Sequence, residues 1–176
     1  MAWFKKIQSE QNLYFLVVQN GIKCGLVYLT NIDWSERSFE TNIFMGPAEY
    51  QSSFVPVYAA LTVSDLFFVY LQFKTAASST VPGNTVADFF DENFGYSLTA
   101  LENDRHLLKS DRYSFFKSSE RLRRAISRTG KVAAPEIFYS KDELHHPMCG
   151  RFLQELLGGQ STALPQGFLP ISFSAK

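Results

Sequence analysis

Apolar and polar residues change their spacing along this chain in a way that separates strands from helices. Leu13–Gln19 is a continuous apolar run of strand length, closed by Asn20-Gly21. Both turn residues tolerate positive φ, so the pair predicts a tight hairpin with residues 24–32 as the return strand. A turn over 33–37 leads into Ser38–Met45. Its alternation predicts a third antiparallel strand, with Glu40, Asn42 and Phe44 on one face and Phe39, Thr41, Ile43 and Met45 on the other.

After Gly46-Pro47, the apolar stretch 54–71 is too long for a strand and predicts a buried helix. It is also long enough to raise a membrane span, but Pro56, Ser64 and Asp65 lie within it. A central Asp costs roughly 2.5 to 3.5 kcal/mol in lipid, which favours the buried helix. Residues 72–78 are strand-like. Asn84 stands where it can cap a helix over Thr85–Asn93, stopped by Gly95. Residues 97–101 and 112–117 are expected to pair as strands, and a helix is expected from Ser119 to Gly130. Residues 2–10 predict a short helix.

From Lys131 onward the punctuation changes, with Pro135, Pro147, Gly158-Gly159, Pro165 and Pro170. The expected division is a domain over 1–130 and a C-terminal extension over 131–176. The extension would hold one helix in 142–157, interrupted by Pro147, and a short strand in 167–173.

Composition narrows the class. With 176 residues, 45% hydrophobic and 17 Phe, the chain can bury a substantial core. Lys plus Arg and Asp plus Glu are equal at 17 each, so no broad attraction to polyanions is expected, nucleic acid included. The one basic cluster, Arg121, Arg123, Arg124 and Arg128, has helical spacing and reads as a solvated helix face. Cys24 and Cys149 are far apart and read as reduced thiols. Lys5-Lys6 is followed by polar residues rather than an apolar core, so a cytoplasmic location is expected.

His145, His146 and Cys149 lie near Asp142 and Glu143, but adjacent histidines point to different sides and Pro147 interrupts the segment. No metal is expected there. Asp33 and Asp65 read as turn, capping or surface residues.

The order of elements, the stretch NGIKCGLVYLTNIDWSERSFETNIFMGPAEY at 20–50 and the block from Asn84 to Tyr96 together resemble the GNAT superfamily of N-acetyltransferases. The likeness is to the branch acting on amino sugars and ribosomal-protein N-termini, and it covers residues 3–118. Asn84 to Tyr96 is similar to the N-x-x-A-x-x-x-Y-E-K-L-G-F segment of that branch. The resemblance implies an α/β (α+β) fold with a mixed, mostly antiparallel central sheet flanked by helices, lacking the usual first strand and carrying an extra C-terminal tail. It implies transfer of an acetyl group from acetyl-CoA to a small amine, with Glu40 as general base and Asp91 at the position of the general acid. Cofactor-binding positions would be Phe44, Met45, Gly46, Gln51, Ser52, Ser53, Phe54, Val55 and Asn84.

Two departures from the family pattern stand out. The phosphate loop written Q/R-x-x-G-x-G/A aligns with residues 51–56, where Phe54 and Pro56 replace glycines, and Asp91 replaces a Tyr. The alternative is therefore a catalytically inactive GNAT-like module acting in protein–protein interaction or as a part of a larger protein. Without the first strand, residues 13–19 would form an open sheet edge. A tail strand, a second copy of the chain or another partner is expected to cover it.

Overall fold

The structure is a computed structural model that describes residues 10–129, 134–147, 149–158 and 171–175. Three strands open it: β1 (Leu13–Gln19), β2 (Ile22–Asp33) and β3 (Ser38–Met45). The β1–β2 turn uses Asn20 and Gly21 at positive φ, as the hairpin signal predicts. A short helix α1 (Ala48–Gln51) precedes α2 (Val55–Asp65), which runs on through a wider π turn over Leu66–Tyr70. Then come β4 (Thr75–Thr80), α3 (Thr85–Asn93), β5 (Ser97–Glu102), β6 (Arg105–Asp111) and α4 (Arg112–Thr129). The C-terminal part holds β7 (Glu136–Tyr139), a 3-10 turn over Lys141–His145, α5 (Gly150–Gly158) and β8 (Ser172–Ala175).

Six strands form one sheet in the order β1-β2-β3-β4-β6-β5, and all neighbours are antiparallel except β3 and β4. The helix α2 explains why one stretch of sequence is apolar on every side. Its turns meet the sheet through Phe39, which packs on Phe67 and Phe68. Phe68 also stacks on Phe115 of α4, and Phe67 stacks on Phe152 of α5. A helix enclosed on three sides has no face to leave polar. In the π turn, Leu71 N–H donates to the Leu66 carbonyl and Phe73 N–H to the Phe67 carbonyl, and Leu66, Phe67, Phe68 and Val69 are all buried. No described helix is long and apolar enough to cross a membrane.

Several expectations need correction. The partner of β5 is β6, reached through Asn103 and Asp104, both at positive φ, and residues 112–117 are helical. Asp111 Oδ1 accepts from Ser114 N–H at 2.8 Å and caps α4 at that point, seven residues before the expected start at Ser119. The strand expected at 72–78 is β4, shifted to 75–80 because Gln72 at positive φ ends the preceding helix.

Arg123 does not belong to a solvated face: it turns inward and forms a two-pronged ion pair with Asp65, at 2.7 and 2.5 Å. Asp65 is thus a buried, paired residue and not a surface or capping acid. Asp33 does serve its turn, accepting from the Ser35 and Glu36 N–H groups. The tail strand β8 pairs with β7 in parallel, not with β1. Among the described residues β1 pairs only with β2, although Phe15 on β1 meets Phe152 of α5 edge to face. The helix expected at 2–10, the helix stop at Gly130 and the start of the strand expected at 167–173 lie outside the described residues.

Candidate functional site

The site begins where two parallel strands part. Pairing between β3 and β4 runs through Ser38–Thr75, Phe39–Ala76 and Glu40–Ala77 and then stops, while β3 stays paired with β2 as far as Met45 and β4 with β6 as far as Thr80. From Thr41 outward the facing strand edges therefore open as a V, and among the described residues no strand lies between them to pair their peptide groups. The opening is a cleft of about 340 Å³. Thr41, Asn42 and Ile43 line one wall, and Ser78, Ser79 and Thr80 line the other. The helices α2 and α3 contribute Ala60, Ser64, Ala87 and Phe90.

Glu40 marks the apex. Its register partner on β2 is Thr30, next to an irregularity in the ladder that lets Asn31 adopt positive φ. The bulge turns the Asn31 amide toward β3, where it donates to Glu40 Oε2 at 2.8 Å. The carboxylate is held by one strong donor and keeps further acceptor capacity.

Asp91 and Tyr96 line the cleft from α3 and the turn after it. Asp91 is buried, and burial pushes its carboxyl up to about 6, helped by the charge of Asp88 and opposed by the hydroxyls of Thr80 and Ser78 and by His106. Thr80 Oγ1 reaches toward that carboxyl, yet it is buried with no partner at full hydrogen-bond geometry. The phenol of Tyr96 is pushed up by burial first and then by the charges of Asp91 and Glu40, so it keeps its proton at neutral pH.

Tyr96 is fixed by its neighbours. Gly95 sits at φ +73, and a Cβ there would come within 2.4 Å of the Ser114 carbonyl oxygen, so the chain needs glycine to pass this close to α4. Tyr96 N–H donates to the Asp91 carbonyl at 2.8 Å.

The outer end of the cleft is built differently. Met45 and Gly46 end β3, and their carbonyls accept from the Gln51 side-chain amide at 3.4 and 3.3 Å, while Gly46 N–H donates to the Cys24 carbonyl. At the start of α2, Val55 N–H donates to Ser53 Oγ at 3.2 Å, and the next residue, Pro56, has no N–H. Tyr58 N–H already closes the first helical bond, to the Phe54 carbonyl. The side chains of Phe44 and Phe54 are exposed, at 64% and 59%.

Of the sequence-selected residues, Asp91 and Asn84 line the cleft. Glu40 lies where the β3–β4 pairing ends, one residue before the lining residue Thr41, while Phe44, Met45 and Gly46 at the end of β3 and Gln51, Ser52, Ser53, Phe54 and Val55 before and at the start of α2 are not part of its lining. Asn84 caps α3 by accepting from Ala87 N–H at 3.2 Å, so its carbonyl oxygen serves the helix. Tyr96, Ser78, Ser79, Thr80, Tyr28 and Arg105 are among the polar residues of the cleft that sequence reasoning missed. Tyr96 lay in plain view, because the family segment ends in an apolar Phe where this chain carries a hydroxyl. Among the described residues no group of three or more His, Cys, Asp or Glu side chains is placed to hold a metal ion.

A sheet that splays between two parallel strands just beyond Glu40, with helices on either side of the opening, defines the chain as a GNAT-fold protein. Solved structures with the same fold include spermidine/spermine N-acetyltransferase SpeG from Vibrio cholerae in complex with manganese ions. That structure is 21% identical with a TM-score of 0.58, over 67% of this chain and 75% of the other. A chimera of the Vibrio cholerae SpeG and hSSAT gives 19% identity and a TM-score of 0.56, over 66% and 79%. A probable acetyltransferase gives 16% and 0.52, over 64% and 68%. No protein-family model and no curated protein matches the chain.

Proposed function

We propose that the chain is an N-acetyltransferase that moves an acetyl group from acetyl-CoA to a small amine. The observation that supports this best is the opening of the sheet immediately beyond Glu40–Ala77. A slender chain carrying amide groups can enter there and pair with the free edge of β3, which would bring a thioester to the apex beside Glu40. Acetyl-CoA supplies the acetyl group as an activated thioester. Its pantetheine arm fits the cleft well; the outer end is poorer in backbone donors for its diphosphate.

Glu40 accepts a proton from the incoming ammonium group, directly or through water, freeing the nitrogen lone pair. The nitrogen attacks the thioester carbonyl carbon, and the carbon–sulfur bond breaks as Tyr96, protonated at neutral pH, gives its proton to the sulfur. The second proton of the former amine returns to the phenolate to leave the amide and free thiol. Asp91 lies within electrostatic reach of Tyr96. With a carboxyl near 6 it is mostly ionised at neutral pH, so the acid role expected of it passes to Tyr96. Thr80 Oγ1 offers a hydroxyl to the bound chain.

The neighbours named for spermidine acetylation make spermidine a rational first acceptor, beside an amino sugar and a peptide with a free N-terminus. One neighbour is described as a dodecamer, and the open edge of β1, with Leu16 and Val18 exposed, supports self-association or a partner strand there in this chain. Release of free thiol from millimolar acetyl-CoA should depend on added amine. If no amine raises the release above background and CoA does not shift the melting temperature, the reading fails.

A second reading has its own support. Val55 N–H engaged by Ser53 and Pro56 in the first turn of α2 leave few donors for a diphosphate, as an inactive module would allow. Saturable CoA binding without turnover would favour it.

A further inference from the structure

Resting on the acyltransfer reading, we propose that the donor is recognised as a 4′-phosphopantetheine thioester, with the adenosine 3′,5′-bisphosphate part of coenzyme A contributing little to binding. The inner cleft has the features that seat a pantetheine arm. It offers the edge of β3 beyond Glu40, which no described strand pairs on that side, and on β4 the buried hydroxyl of Thr80, 8% exposed, which faces the Asp91 carboxyl without closing a full hydrogen bond to it. At about 340 Å³ it lies within the roughly 300–1,000 Å³ typical of small-molecule sites and is large enough for a thin arm.

The outer end lacks what a diphosphate needs. A doubly charged group at a helix start is normally held by several converging backbone N–H groups. Here one of those N–H groups donates to Ser53 Oγ, the next is absent at Pro56, and the Phe54 side chain stands at the position of the first glycine. Residues 46–58 contain no Lys or Arg and one acid, Glu49, so this segment itself supplies no positive charge to a phosphate. Among the described residues, the cation that lines the cleft is Arg105, on the opposite wall. Its Nε and Nη2 donate to the Ser79 hydroxyl and carbonyl at 2.7 and 2.6 Å, which fixes the guanidinium plane. One anchored guanidinium matches a single phosphate.

The shared chemistry, a phosphopantetheine thioester, reaches a protein either as a small molecule or attached by a phosphodiester to a carrier protein. Calorimetric titration of the full chain with CoA, 4′-phosphopantetheine, pantetheine, adenosine 3′,5′-bisphosphate and a phosphopantetheinylated carrier protein separates the cases. The expected result is that phosphopantetheine binds within about threefold of CoA and the bisphosphate shows no saturable heat. Arg105→Ala should weaken phosphopantetheine about tenfold and leave pantetheine unchanged. A carrier protein that binds about tenfold tighter than free phosphopantetheine assigns the source to a carrier; equal or weaker binding assigns it to the free thioester. CoA binding more than about thirtyfold tighter than phosphopantetheine overturns the inference and leaves acetyl-CoA-dependent transfer standing. If no pantetheine-bearing titrant binds, both fall together.

Discussion

The cleft between β3 and β4 has an inner and an outer end, and they are made from different kinds of interaction. The inner end is backbone geometry: two strands part after Glu40–Ala77 and leave their edges open. Any sequence able to form these strands would present the same peptide groups, so this end tolerates large changes in side chains. The outer end depends on particular residues, because a diphosphate cradle needs small residues that let N–H groups converge. Phe54, Pro56 and the Ser53–Val55 contact alter that end without disturbing the other. Under the proposed acyltransfer, the fold would keep its place for the reacting atoms while changing how it holds the rest of the donor.

The sharpest way to break this comparison is at the apex. Glu40→Gln keeps the Asn31 contact possible and removes the base, so amine-dependent thiol release should drop about 10²- to 10⁴-fold with little change in donor affinity. An unchanged rate would mean the inner end is only a groove. Tyr96→Phe tests the second inner residue, with an expected loss of about a hundredfold in kcat and a KM for the donor near that of the parent chain. Loss of donor binding instead would make Tyr96 part of the wall and not a proton donor.

The outer end is sharpened by repair. Replacing both Phe54 and Pro56 with Gly opens the helix start and returns one N–H. CoA should then gain about tenfold in affinity while pantetheine stays the same, the worth of one charge-assisted hydrogen bond. Equal gains for both would show that Phe54 obstructs the arm itself.

How much of this was legible follows from the range of each interaction. Local signals read well: Asn20-Gly21 gave the first hairpin, and Asn84 with Gly95 bounded α3. The Asn103-Asp104 turn was missed because neither residue is glycine, though both adopt the same left-handed conformation. That one omission displaced a strand and concealed the start of α4. The pairing of Arg123 with Asp65 joins residues 58 apart, which spacing along a helix cannot reveal. Glu40 was singled out through the resemblance and not through any local rule. Tyr96 stood in the Asn84 to Tyr96 block of that resemblance, but its burial beside Asp91 and Glu40 is produced by the fold and not by sequence spacing.

The smallest effect bears on the electrostatics of the inner end. In the folded chain the Asp91 carboxyl lies near 6, against an ordinary value of 3.8. Below 3.8 both folded and unfolded chains hold the proton, and the group costs nothing. As pH rises the unfolded chain ionises first, so stability falls until the folded carboxyl also ionises, and the penalty is complete above about 6. Asp91→Asn removes that penalty. Allowing for solvent that still enters the cleft, the variant should be more stable by of the order of 1 kcal/mol at neutral pH, read from urea midpoints, and the advantage should vanish in acid. The same substitution removes one of the charges that raise the Tyr96 phenol, so its pKa should come down. If Asn proves no more stable than Asp at neutral pH, the hydroxyls of Thr80 and Ser78 and the imidazole of His106 already compensate the carboxylate. The inner end would then be a well-solvated polar site, and the case for a strained acid beside a standing phenol donor would lose its physical basis.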